Sequence, residues 1–172
     1  MRKFGLLLIM SLFTLLAGAK DIKVTEGSTD YLKTGGTIDV NFHWDNATYN
    51  FEKSVKEEWG DKYDKYKTEG KEYFIGGFNH GNKVLKMVGD GSKTDYTMTV
   101  TMTNFDKYFS PMSLVPGNKY KVWAEITVTD NKTGKVVCAY KVTEFSGTTE
   151  LSVFDSFLRT MRTLGINLGR GK

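Results

Sequence analysis

The residues best equipped for covalent or metal chemistry are scarce in this 172-residue chain: two histidines, His43 and His80, and one cysteine, Cys138. Zinc-type sites draw on His and Cys at short spacing, and these three stand far apart, so the sequence predicts locally bonded or solvent-facing histidines and no metal site. Acyl-transfer chemistry wants a nucleophile with a base and an orienting acid. There is no G-x-S-x-G elbow, and Cys138 shares the apolar phase of a strand pattern with Val136 and Tyr140, which reads as a small buried hydrophobe. Glu57 and Glu58 are adjacent on a helical pattern and face different ways, unlike the opposed carboxylates of a glycosidase. Gly89-Asp90-Gly91-Ser92 leads from strand to strand and not into a helix, so it is a turn and not a phosphate cradle. The Lys- and Tyr-rich run from Trp59 to Tyr73 puts its aromatics at helical spacing, which favours a core over a stacking platform for bases or sugars. No catalytic residue and no cofactor is therefore expected. The alternative is a small hydrolase or ligand carrier whose site is assembled from His43, Asp45, His80 and Cys138.

The pattern that invites a binding role is a row of threonines. Thr97, Thr99, Thr101 and Thr103 alternate with Tyr96, Met98, Val100 and Met102, and a period of two marks a half-buried strand with one wet face. Phe105, Tyr108, Phe109 and Met112 follow, giving an apolar loop at the end of that row. Together these eight residues form the candidate interaction surface, since exposed apolar patches usually mark contacts.

The elements that would position this surface follow from the same periodicities. Tyr120 to Val128 and Val136 to Val142 repeat the alternation, joined by Asp130-Asn131-Lys132-Thr133-Gly134 as a bulge-type hairpin turn. Earlier, Ile22 and Val24 mark a short strand over residues 21–26, Ile38 to Trp44 a clear one, and Val84 to Val88 another. From Phe51 the spacing changes to three and four through Val55, Trp59, Tyr63, Tyr66, Phe74 and Phe78. That is an amphipathic helix with Asn50 as N-cap; Gly60 and Gly70 each cost about 1 kcal/mol relative to Ala in a helix interior, which predicts a kink or two helices broken near Gly70. Leu151, Phe154, Phe157, Leu158, Met161 and Leu164 predict a terminal helix capped by Thr148 or Thr149. Residues 106–119, which hold both prolines, read as an irregular loop. The predicted fold is α+β: one mixed, largely antiparallel sheet with a long broken helix (about 51–79) and a C-terminal helix (about 149–165) packed on one face.

The first nineteen residues stand apart. Arg2 and Lys3, the apolar run Leu6–Leu16 and the A-x-A site Ala17-Gly18-Ala19 predict a signal peptide cleaved before Lys20. The run is too short for a membrane span, and no cysteine follows the small residues, so no lipid anchor is expected. Residues 20–172 then form a single α+β domain of ordinary size. Losing the two basic residues of the leader lowers the formal charge from +4 to +2, which removes the case for nucleic acid. A lone cysteine makes no internal disulfide. The protein is expected to be exported, periplasmic or extracellular, and soluble after cleavage.

The runs Gly36 to Phe42, Tyr73 to Asn79, Asp95 to Val100 and Asp130 to Val137, with the late pair Leu164-Gly165, resemble a group of small exported proteins of Bacteroides-type bacteria that carry no assigned activity. At greater distance the order of elements looks like the periplasmic domain of the curli-secretion lipoprotein and the amino-terminal domain of the Tol translocation protein. The resemblance implies a helix-covered sheet and a life among envelope proteins, and it brings no catalytic residue. The expected function is a secreted or periplasmic, non-enzymatic binding or assembly domain, with an envelope protein or a second copy of itself as partner.

Overall fold

The computed structural model of the protein describes residues 21–110 and 116–172. The strands are β1 (Asp21–Gly27), β2 (Thr37–His43), β3 (Thr48–Tyr49), β4 (Lys53–Ser54), β5 (Lys86–Met87), β6 (Tyr96–Ser110), β7 (Gly117–Asp130) and β8 (Val136–Ser146). They form one sheet in the order β1-β8-β7-β6-β2-β5, with β3 beside the far half of β6 and β4 paired to β3. Pairing is antiparallel from β1 to β6 and parallel where β2 meets β6 and β5. The sheet is thus mixed and largely antiparallel, as the alternating patterns predict. A parallel β2–β6 pair requires a crossover, and the helices α1 (Val55–Trp59) and α2 (Tyr63–Gly81) lie on it.

All of the strong apolar phases meet on one side. Ile38 and Val40, Met98 to Met102, Val122 to Val128, and Cys138 to Val142 face Phe74 and Phe78 of α2 and Phe157, Met161, Leu164 and Leu168 of α3 (Val153–Gly169). At one end of this layer the rings of Trp44 and Phe105 stack at 5.5 Å, and Trp59 meets Phe157 edge-on at 5.4 Å. Two polar pairs lie among the buried rings: Tyr31 Oη and Tyr140 Oη are 3.0 Å apart, and Trp59 Nε1 donates to Tyr120 Oη at 3.0 Å.

Several expected boundaries move, each for a local reason. Asn50 does not cap a helix; it and Phe51 turn the β3–β4 hairpin, and Ser54 caps α1 instead through a capping box with Glu57. The helical run breaks at Gly60, whose φ is +50°, and not at Gly70, where the ring of Phe157 lies against the helix. α3 is capped by Ser152 and starts at Val153, because Glu150 is held in a bridge to Asn118 and Leu151 is left in water. It then runs through Gly165 to Gly169. The 106–119 segment is not an irregular loop at its ends: β6 continues to Ser110 and β7 starts at Gly117, giving a hairpin arm with Phe109 paired to Asn118. Of Val84–Val88 only Lys86–Met87 is strand.

Two pairs of helix glycines fix the distance between α2 and α3. A Cβ at Gly77 would run into the carbonyl of Arg162, and one at Gly165 into that of Phe74; Gly81 and Gly169 meet Ile166 and Phe78 in the same way. Glycines four apart on each helix let the two backbones touch.

Candidate interaction surface

α1, α2 and α3 lie on one side of the sheet, and no described helix covers the other. Along β6 the residues Thr97, Thr99 and Thr101 look out of it, half-buried, and across the ladder Thr97 faces Thr129 while Thr99 faces Thr127. The row stops sooner than its sequence suggests. A bulge between Met102 and Asn104 makes Thr103 an extra residue and reverses the phase of the strand. Asn104 therefore falls opposite Trp123, and Phe105 falls opposite Val122 inside the core, fully buried. Phe105 is thus not part of any exposed surface. Tyr108 stays on the open side, with Lys121 Nζ 5.1 Å from its ring centre. Phe109, by alternation, lies on the helix side of the arm and is 61 % exposed. Met112 lies outside the described residues.

The bulge creates a corner that the periodicities do not reveal. β8 carries a second irregularity, where Val122 pairs with Phe145 but Ala124 with Val142, so Trp123 lies between two disrupted ladders. Opposite it the β3–β4 hairpin closes with Asn50 at φ +54° and Phe51 at φ +61°, and on β8 Glu144 sits at φ +51°. Among the described residues these are the non-glycines in the left-handed region, and all three flank Trp123. For a bulky residue such a conformation costs roughly 1–2 kcal/mol, so something must hold it. Asn104 does: its Oδ1, almost wholly buried, accepts from the Phe51 backbone N–H at 2.8 Å and from Thr48 Oγ1 at 2.9 Å. The result holds the Phe51 ring 66 % exposed and edge-on to Trp123 at 5.0 Å. Beside it Lys121 Nζ donates to Glu144 Oε2 at 3.1 Å. The corner combines two aromatic faces, a tyrosine and one ion pair.

The residues of the alternative, catalytic reading do not come together. His43 is exposed on β2, Asp45 follows that strand and accepts from Tyr63 Oη at 3.3 Å, His80 is exposed near the end of α2, and Cys138 is buried in β8, where desolvation pushes its thiol up from the usual value. Among the described residues no three His, Cys, Asp or Glu side chains gather as metal ligands. No described helix is long and apolar enough to cross a membrane.

No family model matches the chain, and no curated protein is similar to it in sequence. Solved structures with a related backbone course include the PelC dodecamer of Paraburkholderia phytofirmans, at 9 % identity and TM-score 0.44 over 88 % of this chain and 99 % of that one. A leucine-to-methionine variant of the same dodecamer has 10 % identity and TM-score 0.45 over 88 % and 98 %. A Xanthomonas campestris protein assigned to the family DUF330 has 9 % identity and TM-score 0.43 over 80 % and 83 %. All three are distant likenesses and carry no function to this chain.

Proposed function

We propose that this chain is an exported, non-enzymatic domain that docks a protein partner of the cell envelope on the open side of its sheet, with Phe51 and Trp123 as the anchor. The observation that carries the reading is the strained Phe51. Burying that ring in the core would explain its conformation, yet it is held out in water against Trp123, and backbone strain of this kind collects at sites that bind. Aromatic anchors flanked by polar groups dominate protein interfaces. The flanking threonines and the Lys121–Glu144 pair supply the polar rim. The dispersal of His43, Asp45, His80 and Cys138 and the sequence resemblance to envelope domains support the same reading.

The test places a photo-reactive side chain at Tyr108 or, as control, at Leu151, which is exposed away from the open face, in cells that make the protein. The expected result is one discrete protein adduct from Tyr108 and none from Leu151, with the adduct lost in Phe51→Gly. No adduct at Tyr108, or one that survives Phe51→Gly, would overturn the proposal.

A second reading rests on the sheet edge. Among the described residues nothing pairs with the outer side of β1, and Val24 is 40 % exposed, so a second copy could add a strand there. Light scattering with and without Val24→Lys separates this from the first reading: a dimer that Val24→Lys dissolves supports the edge, and a monomer removes it.

A further inference from the structure

At the opposite end of β6 and β7 from Trp123, roughly 20 Å away by strand rise, the segment 91–95 and the β7–β8 hairpin enclose a hollow of about 750 Å³. Its wall includes three carboxylates, Asp39, Asp95 and Asp130, and two lysines, Lys93 and Lys132. The engaged groups can be subtracted. Asp95 Oδ2 accepts the Thr37 N–H at 2.8 Å. Asp130 Oδ1 accepts the N–H groups of Lys132 and Thr133 at 2.9 and 2.8 Å, which close the hairpin turn. Asn131 is tied to Thr97 Oγ1 and to the Thr94 carbonyl. Asp39 is different. It is 7 % exposed at an outward position of β2, and among the described residues no group donates to its Oδ1. Nor does any ion pair among the described residues involve Asp39, Lys93 or Lys132.

Asp95 and Asp130 keep their charge but each turns one oxygen to neutral donors, so the recessed group without a donor on Oδ1 is Asp39, facing two ammonium groups that form no ion pair among the described residues. A buried carboxylate is stable when a cation or donor meets it. A bare divalent ion would meet Asp39 with Asp95 and Asp130 already turned to backbone N–H groups and two lysines opposing it, and a simple anion would meet three carboxylates. We infer that this hollow binds a small zwitterion, its ammonium on Asp39 and its carboxylate on Lys93 and Lys132. The reading does not use Phe51 or Trp123, the anchor of the docking corner; of the interaction-surface residues Thr97 alone also lines the hollow.

The probes are L-alanine, its two halves ethylamine and propionate, and alanyl-alanine to tell a free amino acid from a peptide end. Backbone amide resonances of Thr97 and Asn131 report binding in the whole purified protein. The expected result is saturable shifts with alanine or alanyl-alanine at millimolar concentration, at least tenfold weaker with either half, and at least tenfold weaker again in Asp39→Asn. Lys93→Ala with Lys132→Ala should weaken the zwitterion while leaving ethylamine unchanged. Absence of saturable shifts with both zwitterions, or ethylamine binding as tightly as alanine, would overturn the inference. Since Asp39→Asn is nearly isosteric, its amide spectrum shows directly whether it folds, and the double lysine variant tests the proposal separately if it does not.

Discussion

Phe51 sits in a conformation its side chain disfavours, and this sets up a separation of stability from binding. Phe51→Gly removes the strain at φ +61° and so should raise unfolding free energy by about 1 kcal/mol, measured by chemical denaturation, while abolishing the cross-link from Tyr108. The buried pair Tyr31–Tyr140 behaves in the opposite sense. Tyr140→Phe leaves the Tyr31 hydroxyl buried without its partner and should cost about 1–3 kcal/mol, whereas the double change to Phe should recover part of that loss, because an orphaned polar group costs more than an absent pair contributes. At this scale the sequence is half legible. Trp123 stands alone among Lys121, Glu125 and Thr127 on the polar phase of β7, a signal that could have been read. Phe51 could not, because its spacing of four to Val55 imitates a helix. Asp39 looked like any outward polar residue of a strand, since only the chain folded over it makes it buried.

Between elements, the glycine pairs of α2 and α3 decide how closely the helices approach. Gly165→Ala would drive a methyl group into the Phe74 carbonyl, and overpacking of this kind costs typically 1–3 kcal/mol; a loss at or above the upper end is expected, since backbone cannot step aside. Gly76→Ala is the matched control. It lies on the exposed side of α2 with nothing near its Cβ position, so it should stabilise by about 1 kcal/mol. Thermal unfolding of both variants checks the pair. The same contrast explains what element-level reading missed. Glycine in a helix pattern reads as a kink or a break, as near Gly70, but where a neighbouring helix or ring occupies the place of a side chain, glycine is the residue that keeps the helix packed. The Ser54-x-x-Glu57 capping box was present in the sequence, overshadowed by the longer aromatic period. Thr103 shows the converse limit: a bulge costs one residue and is invisible to alternation, yet it moves Phe105 from the wet face to the core.

Across the molecule, tyrosines bury unevenly and leave a common pH signature. Desolvation holds the hydroxyls of Tyr31, Tyr120 and Tyr140 well above the ordinary tyrosine value. A raised native value means the unfolded chain gives up its protons first, so the stability these groups contribute is intact below about pH 10 and declines as pH rises beyond it. Urea midpoints should therefore hold steady from neutral pH to about 9 and fall steeply above about 10, and Tyr31→Phe with Tyr140→Phe should flatten that fall. A midpoint that drops equally in the double variant would remove these hydroxyls as its cause. Fold class and the one-sided helix cover were legible because two periodicities separate cleanly along the chain. Strand order was not, since alternation says which face is buried and nothing about which neighbour lies alongside.

The pairing of β1 with β8 has a consequence for a chain made from its amino end. β1 is synthesised more than a hundred residues before β8, its one neighbour among the described strands, so its hydrogen-bonding groups wait in solution while β2 through β7 are made. Any machinery that handles the nascent protein meets that ribbon unpaired, and completion of β8 at residue 146 is the event that covers it.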